Sequence, residues 1–217
     1  MTEPSGQETV DNFAVRYFEE GERTWHNTYW LGTRVLKLPL DLWIYQEILH
    51  RKQPDVIVES GTFSGGSAHY MASVCDMIGA GRIVTIDVRP WGDDRPQHER
   101  IRYVHGSSTD PDVIASVRAS IAPGESVMVI LDSEHDRDHV IAELRGWGPA
   151  VTPGHYLIVE DTMINGHPVE PDWGPGPKEA VDAFLAETDD FEVDHDMEKF
   201  LFTWNPGGYL RRRPGGK

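Results

Sequence analysis

Two short apolar runs end in acids. "VMVILDSEH" (127–135) passes through Asp132 and reaches His135 three positions later; "YLIVED" (156–161) closes on Glu160 and Asp161. If the runs are neighbouring strands, their ends meet. Three carboxylates brought that close repel one another unless a cation lies between them. Carboxylate oxygens are hard ligands, which points to Mg²⁺, with Ca²⁺ and Mn²⁺ as alternatives and waters or substrate oxygens completing the shell. The imidazole of His135 titrates near neutrality and suits proton removal from a bound hydroxyl. A metal-ligand carboxylate is the alternative base, and His167 in "NGHPV" is a second histidine candidate. His139 shares a helix face with His135, but no HExxH is present to make that pair a metal site.

A second constellation comes earlier. "DVIVESGTFSGGSAHY" (55–70) runs from strand-like residues through Glu59 into Gly61, Gly65 and Gly66. Such a turn lets backbone N–H groups approach a ligand and aims a helix N-terminus at it. Glu59, Gly61, Thr62, Phe63, Gly65 and Ser67 are therefore candidate binding residues. Asp87 ends the next apolar run, "RIVTID", where a carboxylate accepts ribose hydroxyls. The ligand then carries a nucleoside. Neither the G-x-G-x-x-G of a dinucleotide fold nor the lysine of a phosphate loop is present, so no pyrophosphate is expected. S-adenosylmethionine fits. It offers a ribose to Asp87, an adenine to the Gly106–Ser108 turn with Ser107 and Ser108, and a sulfonium and ammonium to an acidic rim that includes Asp132.

These residues need elements to hold them. Strands are expected at 55–59, 82–88, 100–106, 126–132 and 155–161, alternating with helices at 66–78, 111–121, 137–147 and 177–187. That alternation, with nearly continuous apolar strands, predicts an α/β fold with a mainly parallel sheet covered on both faces. Ligands then bind at the strand C-terminal ends. "FEVDHDMEKFLFTWNPGGYLRRR" (191–213) predicts a C-terminal antiparallel hairpin around a turn at 205–208. Residues 1–10 are expected to lack order, with a polar helix at 11–23 and another at 40–49. This makes 1–53 a helical extension that caps the site or makes oligomer contacts, and 54–217 the main domain. The Gly-, Pro- and Asp-rich loop 161–179 reads as a lid. With residues 24–38 it is expected to choose the acceptor. Cys75 lies on an apolar helix face and is expected in the core.

The bulk properties exclude several classes. The 217 residues suit one domain with an extension, and 39% apolar with 26% charged residues is an ordinary soluble balance. A net charge of −16 opposes a nucleic-acid or anionic-membrane partner. The "RRR" at 211–213 reads as a solvated strand end. No apolar run approaches the ~20 residues of a membrane helix. The polar, acidic start is neither a signal nor a transit peptide, and the single cysteine fits a reducing compartment, so a cytoplasmic location is expected.

With these residues in place, the chain resembles the cephalosporin hydroxylase/rhamnosyl O-methyltransferase family. The similarity runs from about Trp30 to Arg212. It is carried by "WLGTRVLKLPLDLWIYQEIL", "VESGTFSGGSAHY", "LDSEH", "GHYLIVEDTMINGHPV", "GPGPKEAV" and "EKFLFTWNPGGYLRR". The resemblance implies a Rossmann-like class I methyltransferase fold, S-adenosylmethionine and Mg²⁺ as cofactors, and a homo-oligomer working in natural-product or antibiotic pathways. It places Glu59 and Gly61 at the methionine part, Asp87 at the ribose, and Asp132, Glu160 and Asp161 at Mg²⁺. The layout also resembles catechol O-methyltransferases, whose lysine base sits three residues after the first metal ligand, where His135 stands. The hydroxylase chemistry in the family's name is not expected. An iron site of that type starts with a histidine and an acid two positions on, and none of the ten histidines has one. The expected reaction is methylation of a sugar or polyol hydroxyl on a small, glycosylated molecule. The competing readings are an NAD-type oxidoreductase and a non-catalytic nucleoside-binding protein.

Overall fold

Five apolar runs become parallel strands in a computed structural model that describes residues 5–90 and 94–215. They are β1 (Val56–Ser60), β2 (Arg82–Asp87), β3 (Ile101–His105), β4 (Val127–Leu131) and β5 (Tyr156–Val159); β6 (Phe191–Val193) and β7 (Tyr209–Arg212) follow. The helices are α1 (Gly6–Glu19), α2 (Pro39–Lys52), α3 (Gly66–Ile78), α4 (Pro111–Ala119), α5 (Arg137–Trp147) and α6 (Pro177–Glu187). The sheet order is β3-β2-β1-β4-β5-β7-β6. Strands β1 to β5 run parallel, and β7 lies antiparallel to both β5 and β6. The order reverses between β1 and β4, so a crevice opens above their C-terminal ends, where such sheets bind ligands.

Strand side chains alternate between the two faces. Ile57, Ile83, Met128, Ile130, Ile158 and Tyr209 face a core built with α2 and α3. Val56, Val58, Val84, Val129, Leu157 and Leu210 face a second core with α5, α6 and Val117 of α4. Each fully buried branched side chain contributes roughly 1.5–3 kcal/mol, so both faces must be covered. The same alternation puts Glu59 and Glu160 on the α2–α3 side, which decides their partners.

Two local expectations are corrected. Helix α1 begins at Gly6, not at 11, because Ser5 caps it by accepting from the Glu8 amide. Ser5-Gly6-Gln7-Glu8 is the S-x-x-E signature of a helix start; residues 1–4 lie outside the described residues. Residues 29–34 form a small hairpin, Tyr29–Trp30 with Thr33–Arg34, around Leu31 and Gly32. The C-terminal hairpin pairs β6 with β7, but residues 194–208 between them hold no strand. There the Trp204 amide and Thr203 hydroxyl donate to buried Asp41 instead of to a ladder. Cys75 is buried as expected.

The dividing line drawn at residue 53 crosses one core. Leu42, Ile44, Tyr45, Ile48 and Leu49 of α2 pack with the sheet. Helix α1 and the turn carrying Trp25 instead join Met163, Ile164, Phe202 and Trp204 in a third cluster. That cluster sits under the 161–176 loop.

Candidate active site

Gly61 fixes the centre of the crevice. Its φ is +85°, and a Cβ there would lie 1.7 Å from the Asp132 carbonyl oxygen. Only glycine lets the ends of β1 and β4 approach this closely. Behind the turn, Glu59 is fully buried and accepts from Ser67 and Thr85. Burial pushes its carboxyl up to about 7, against the pull of Lys37. In front, Oδ2 of Asp87 accepts from the Thr62 and Phe63 amides at 3.1 and 3.0 Å. Its Oδ1 accepts from the Arg89 amide at 2.9 Å. The end of β2 thus ties down the glycine turn.

The ends of β4 and β5 build the other half. Oxygen or nitrogen atoms of Asp132, His135 and Asp161 lie within 4.8 Å of one another. His135 Nε2 is 3.0 Å from Asp161 Oδ2 and 3.5 Å from Asp132 Oδ1. Yet that buried nitrogen makes no hydrogen bond of good geometry. The three groups converge on common space rather than pairing with one another. The two carboxylates supply hard oxygen donors suited to a divalent cation, with the imidazole beside them. Burial opposes a charge on His135, but Asp161 and Asp132 outweigh it and hold the imidazole well above its ordinary pKa.

Below them lies a buried cation. Lys37 Nζ donates to Asp132 Oδ2 at 2.6 Å and to Glu160 Oε1 at 2.5 Å. The Tyr45 hydroxyl donates to the same Glu160 oxygen. Burial disfavours the ammonium, but Asp132, Glu160 and Glu59 reverse this and keep Lys37 charged. Asp132 is correspondingly held below the usual carboxylate range by Lys37 and His135, despite its burial.

Both halves face one cavity of about 540 Å³. Gly61, Phe63, Asp87, Gly106 and Ser108 line one end, and Asp132, His135 and Asp161 the floor. Phe18, Trp25, Trp173 and Trp204 complete the lining as an aromatic wall, with Phe18, Trp25 and Trp204 packed on one another and the Trp173 ring 6.5 Å from that of His135.

A protein-family model described as rhamnosyl O-methyltransferase/CmcI matches residues 22–213. The chain belongs to this family. The rhamnosyl O-methyltransferase of Mycobacterium tuberculosis (strain ATCC 25618 / H37Rv) is 40% identical over 199 residues, spanning 88% of this chain and 81% of the relative. That of Mycobacterium leprae (strain TN) is 36% identical over 212 residues, spanning 94% and 92%. A solved CmcI structure described as "Mg-SAM" superposes with a TM-score of 0.67 at 20% identity, covering 87% of this chain and 78% of that one. The fold is therefore the Rossmann-like class I methyltransferase fold, and membership makes the chain an O-methyltransferase. The oxidoreductase and non-catalytic readings are set aside.

Within this O-methyltransferase, some of the expected residues meet on the cavity wall and others do not. Gly61, Phe63, Asp87, Ser108, Asp132, His135 and Asp161 come together on the cavity wall. Glu59, Thr62 and Ser67 are buried behind the turn, where Thr62 also bonds Thr85. Gly65, at φ +76°, begins α3 beside Tyr103. Ser107 turns toward Thr109 instead, and the adjoining Ser108 supplies the lining. His167 does not line the cavity and pairs with Glu179 at 2.9 Å. Glu160 is adjacent to the Asp132–His135–Asp161 cluster but outside it, with one oxygen held by Lys37 and Tyr45. His139 borders the cavity near Ser108 and Ser133 rather than joining His135.

Sequence reasoning missed Lys37, Tyr45, Trp25 and Phe18. One signal existed for Lys37: it is the single charged residue in "VLKLPL". An isolated lysine among apolar residues marks an ammonium carried into the interior, which needs acids to meet it.

Proposed function

We propose that the protein is an S-adenosylmethionine- and Mg²⁺-dependent O-methyltransferase of secondary metabolism. Its acceptor is a hydroxyl of a sugar, a rhamnosyl or similar group on a small natural product. The observation that carries this reading is the convergence of Asp132, His135 and Asp161 on the floor of a cavity whose far end is the glycine turn and Asp87. The rhamnosyl O-methyltransferases among its relatives favour a sugar acceptor.

Asp132 and Asp161 would hold Mg²⁺, and the Glu160 oxygen not engaged by Lys37 would be the third carboxylate. Asp87 receives the ribose, the Gly106–Ser108 turn the adenine, and the Glu59–Ser67 turn borders the methionine part. When bound, S-adenosylmethionine would supply the methyl group and Mg²⁺ would acidify the acceptor hydroxyl; with Asp132 and Asp161 engaged by the cation, His135 would release its proton to solvent and stand neutral. His135 then takes the proton that the acceptor oxygen loses. The aromatic wall of Phe18, Trp25, Trp173 and Trp204 stacks on the sugar and fixes its approach, and alignment of this kind is worth roughly 7–11 kcal/mol.

Within the segment 1–53, α1 and the turn carrying Trp25 serve as a cap over the acceptor end, while α2 packs with the sheet of the main domain, 54–217. The protein works in the cytoplasm as a homo-oligomer. Exposed Tyr29, Leu31, Trp43 and Met77 support an apolar contact between copies, which light scattering tests. The main experiment is a mass screen of rhamnosides and related glycosides with S-adenosylmethionine. A gain of one methyl per acceptor that disappears in EDTA and returns with Mg²⁺ is expected. Full turnover in EDTA contradicts the metal role, and methylation of non-sugar acceptors alone contradicts the substrate class.

A further inference from the structure

Lys37 enters the site from a part of the chain that the reaction does not otherwise use. It lies between the 29–34 hairpin and α2, 95 residues from Asp132 and 123 from Glu160. Its residue is 2% exposed, and its ammonium touches one oxygen of each carboxylate. The other oxygen of Asp132 is the one that faces His135. Tyr45 of α2 holds the same Glu160 oxygen as Lys37, so the N-terminal segment grips this carboxylate twice.

Glu59, Asp132, Glu160 and Asp161 crowd one rim. Buried carboxylates this close are strongly destabilising when no cation meets them. A cation site that is reversibly filled has this difficulty whenever the ion is away. We propose that Lys37 is a built-in stand-in cation that balances Asp132 and Glu160 and holds them together before Mg²⁺ arrives. It is a positioning residue and touches no reacting atom. Partners that orient metal ligands commonly affect metal binding through geometry and charge alone. The inference rests on the metal reading above. Its consequence is that the fold without Mg²⁺ depends on Lys37, and that Mg²⁺ substitutes for it.

The test is thermal unfolding of the whole protein in EDTA and in millimolar Mg²⁺, with Mg²⁺ titration by calorimetry. Lys37→Met keeps the length and removes the charge. Its unfolding temperature in EDTA is expected to fall by on the order of 10 °C. Mg²⁺ should restore most of that loss, so that its Mg²⁺-dependent shift exceeds that of the wild type. Lys37→Arg should keep much of the EDTA stability. An equal loss with and without Mg²⁺ would mean a packing role and overturns the proposal, as does an unchanged melt. If Lys37→Met gives no folded protein, the pair Lys37→Met with Glu160→Gln removes a carboxylate together with the ammonium. Recovery of folding supports charge balance, and failure to recover overturns it. A wild type that gives neither a Mg²⁺ shift nor binding heat removes the metal reading and this inference together. Wild-type binding with an unaltered shift in the variant removes this inference alone.

Discussion

The nucleoside half and the cation half of the cavity are built by different means. The first is local: Ser67 reaches Glu59 eight residues away, and the Thr62 and Phe63 amides reach Asp87 25 and 24 residues away. One strand, one turn, one helix and the next strand complete it. The second is assembled from distant pieces, with Lys37 and Glu160 separated by 123 residues and Asp41 and Trp204 by 163. A backbone-built half binds through shape and amides that are always present. A half built from gathered charges depends on what neutralises it. If this contrast is right, damage to one half should leave the other working.

The sharpest break comes from Asp132→Ala. Loss of a metal ligand removes several kcal/mol of transition-state stabilisation, so turnover should fall by roughly 10³-fold or more. Calorimetric affinity for S-adenosylhomocysteine should change by less than about tenfold. A matching collapse of nucleoside binding would mean that the halves are one unit. His135→Ala belongs to the same half and should lower kcat by about 10²–10⁴-fold with little effect on KM, as expected for a lost general base. If KM for the acceptor rises instead while kcat holds, His135 positions the acceptor and the base lies elsewhere.

The reverse break is Asp87→Ala. Charge-assisted hydrogen bonds to a ribose are worth roughly 1.5–3 kcal/mol. Nucleoside affinity should therefore drop about 10- to 100-fold, while Mg²⁺ affinity measured in the same titration stays put. Weakened metal binding would count against the division.

The smallest effect concerns Glu59, whose carboxyl burial has moved up to about 7. An unfolded glutamate releases its proton near pH 4.3. Between those values the native state binds more protons, so stability falls as pH climbs through the window. Above about pH 7 the loss is complete. Melting temperatures between pH 5 and 8 should fall less steeply for Glu59→Gln than for the wild type. Parallel slopes would show that another group carries the pH dependence.

The same contrast explains what the sequence made legible. Strand ends announce themselves, because an apolar run stopping at Asp87, Asp132 or Glu160 is a local pattern, and the parallel sheet turns those local stops into one rim. The glycine turn was legible for a similar reason, although the packing of Gly61 against the Asp132 carbonyl was not, since it joins two strands far apart in the chain. Counter-charges and walls are different. Nothing near Lys37 names the carboxylates it meets, and nothing near Trp25 or Phe18 says that α1 packs against the 161–176 loop. Phe202 and Trp204 were misread as strand residues because their alternation matched one, while their partners in α1 and α2 lay out of local view.

The central claim is that nucleoside and divalent cation lie side by side in one cavity. A crystal grown with S-adenosylhomocysteine and Mn²⁺, examined by anomalous scattering, addresses it directly. The account predicts one Mn²⁺ peak within about 2.3 Å of carboxylate oxygens of Asp132 and Asp161, with the ribose on Asp87. A nucleoside bound there and Mn²⁺ found elsewhere, or no Mn²⁺ at all, would contradict it.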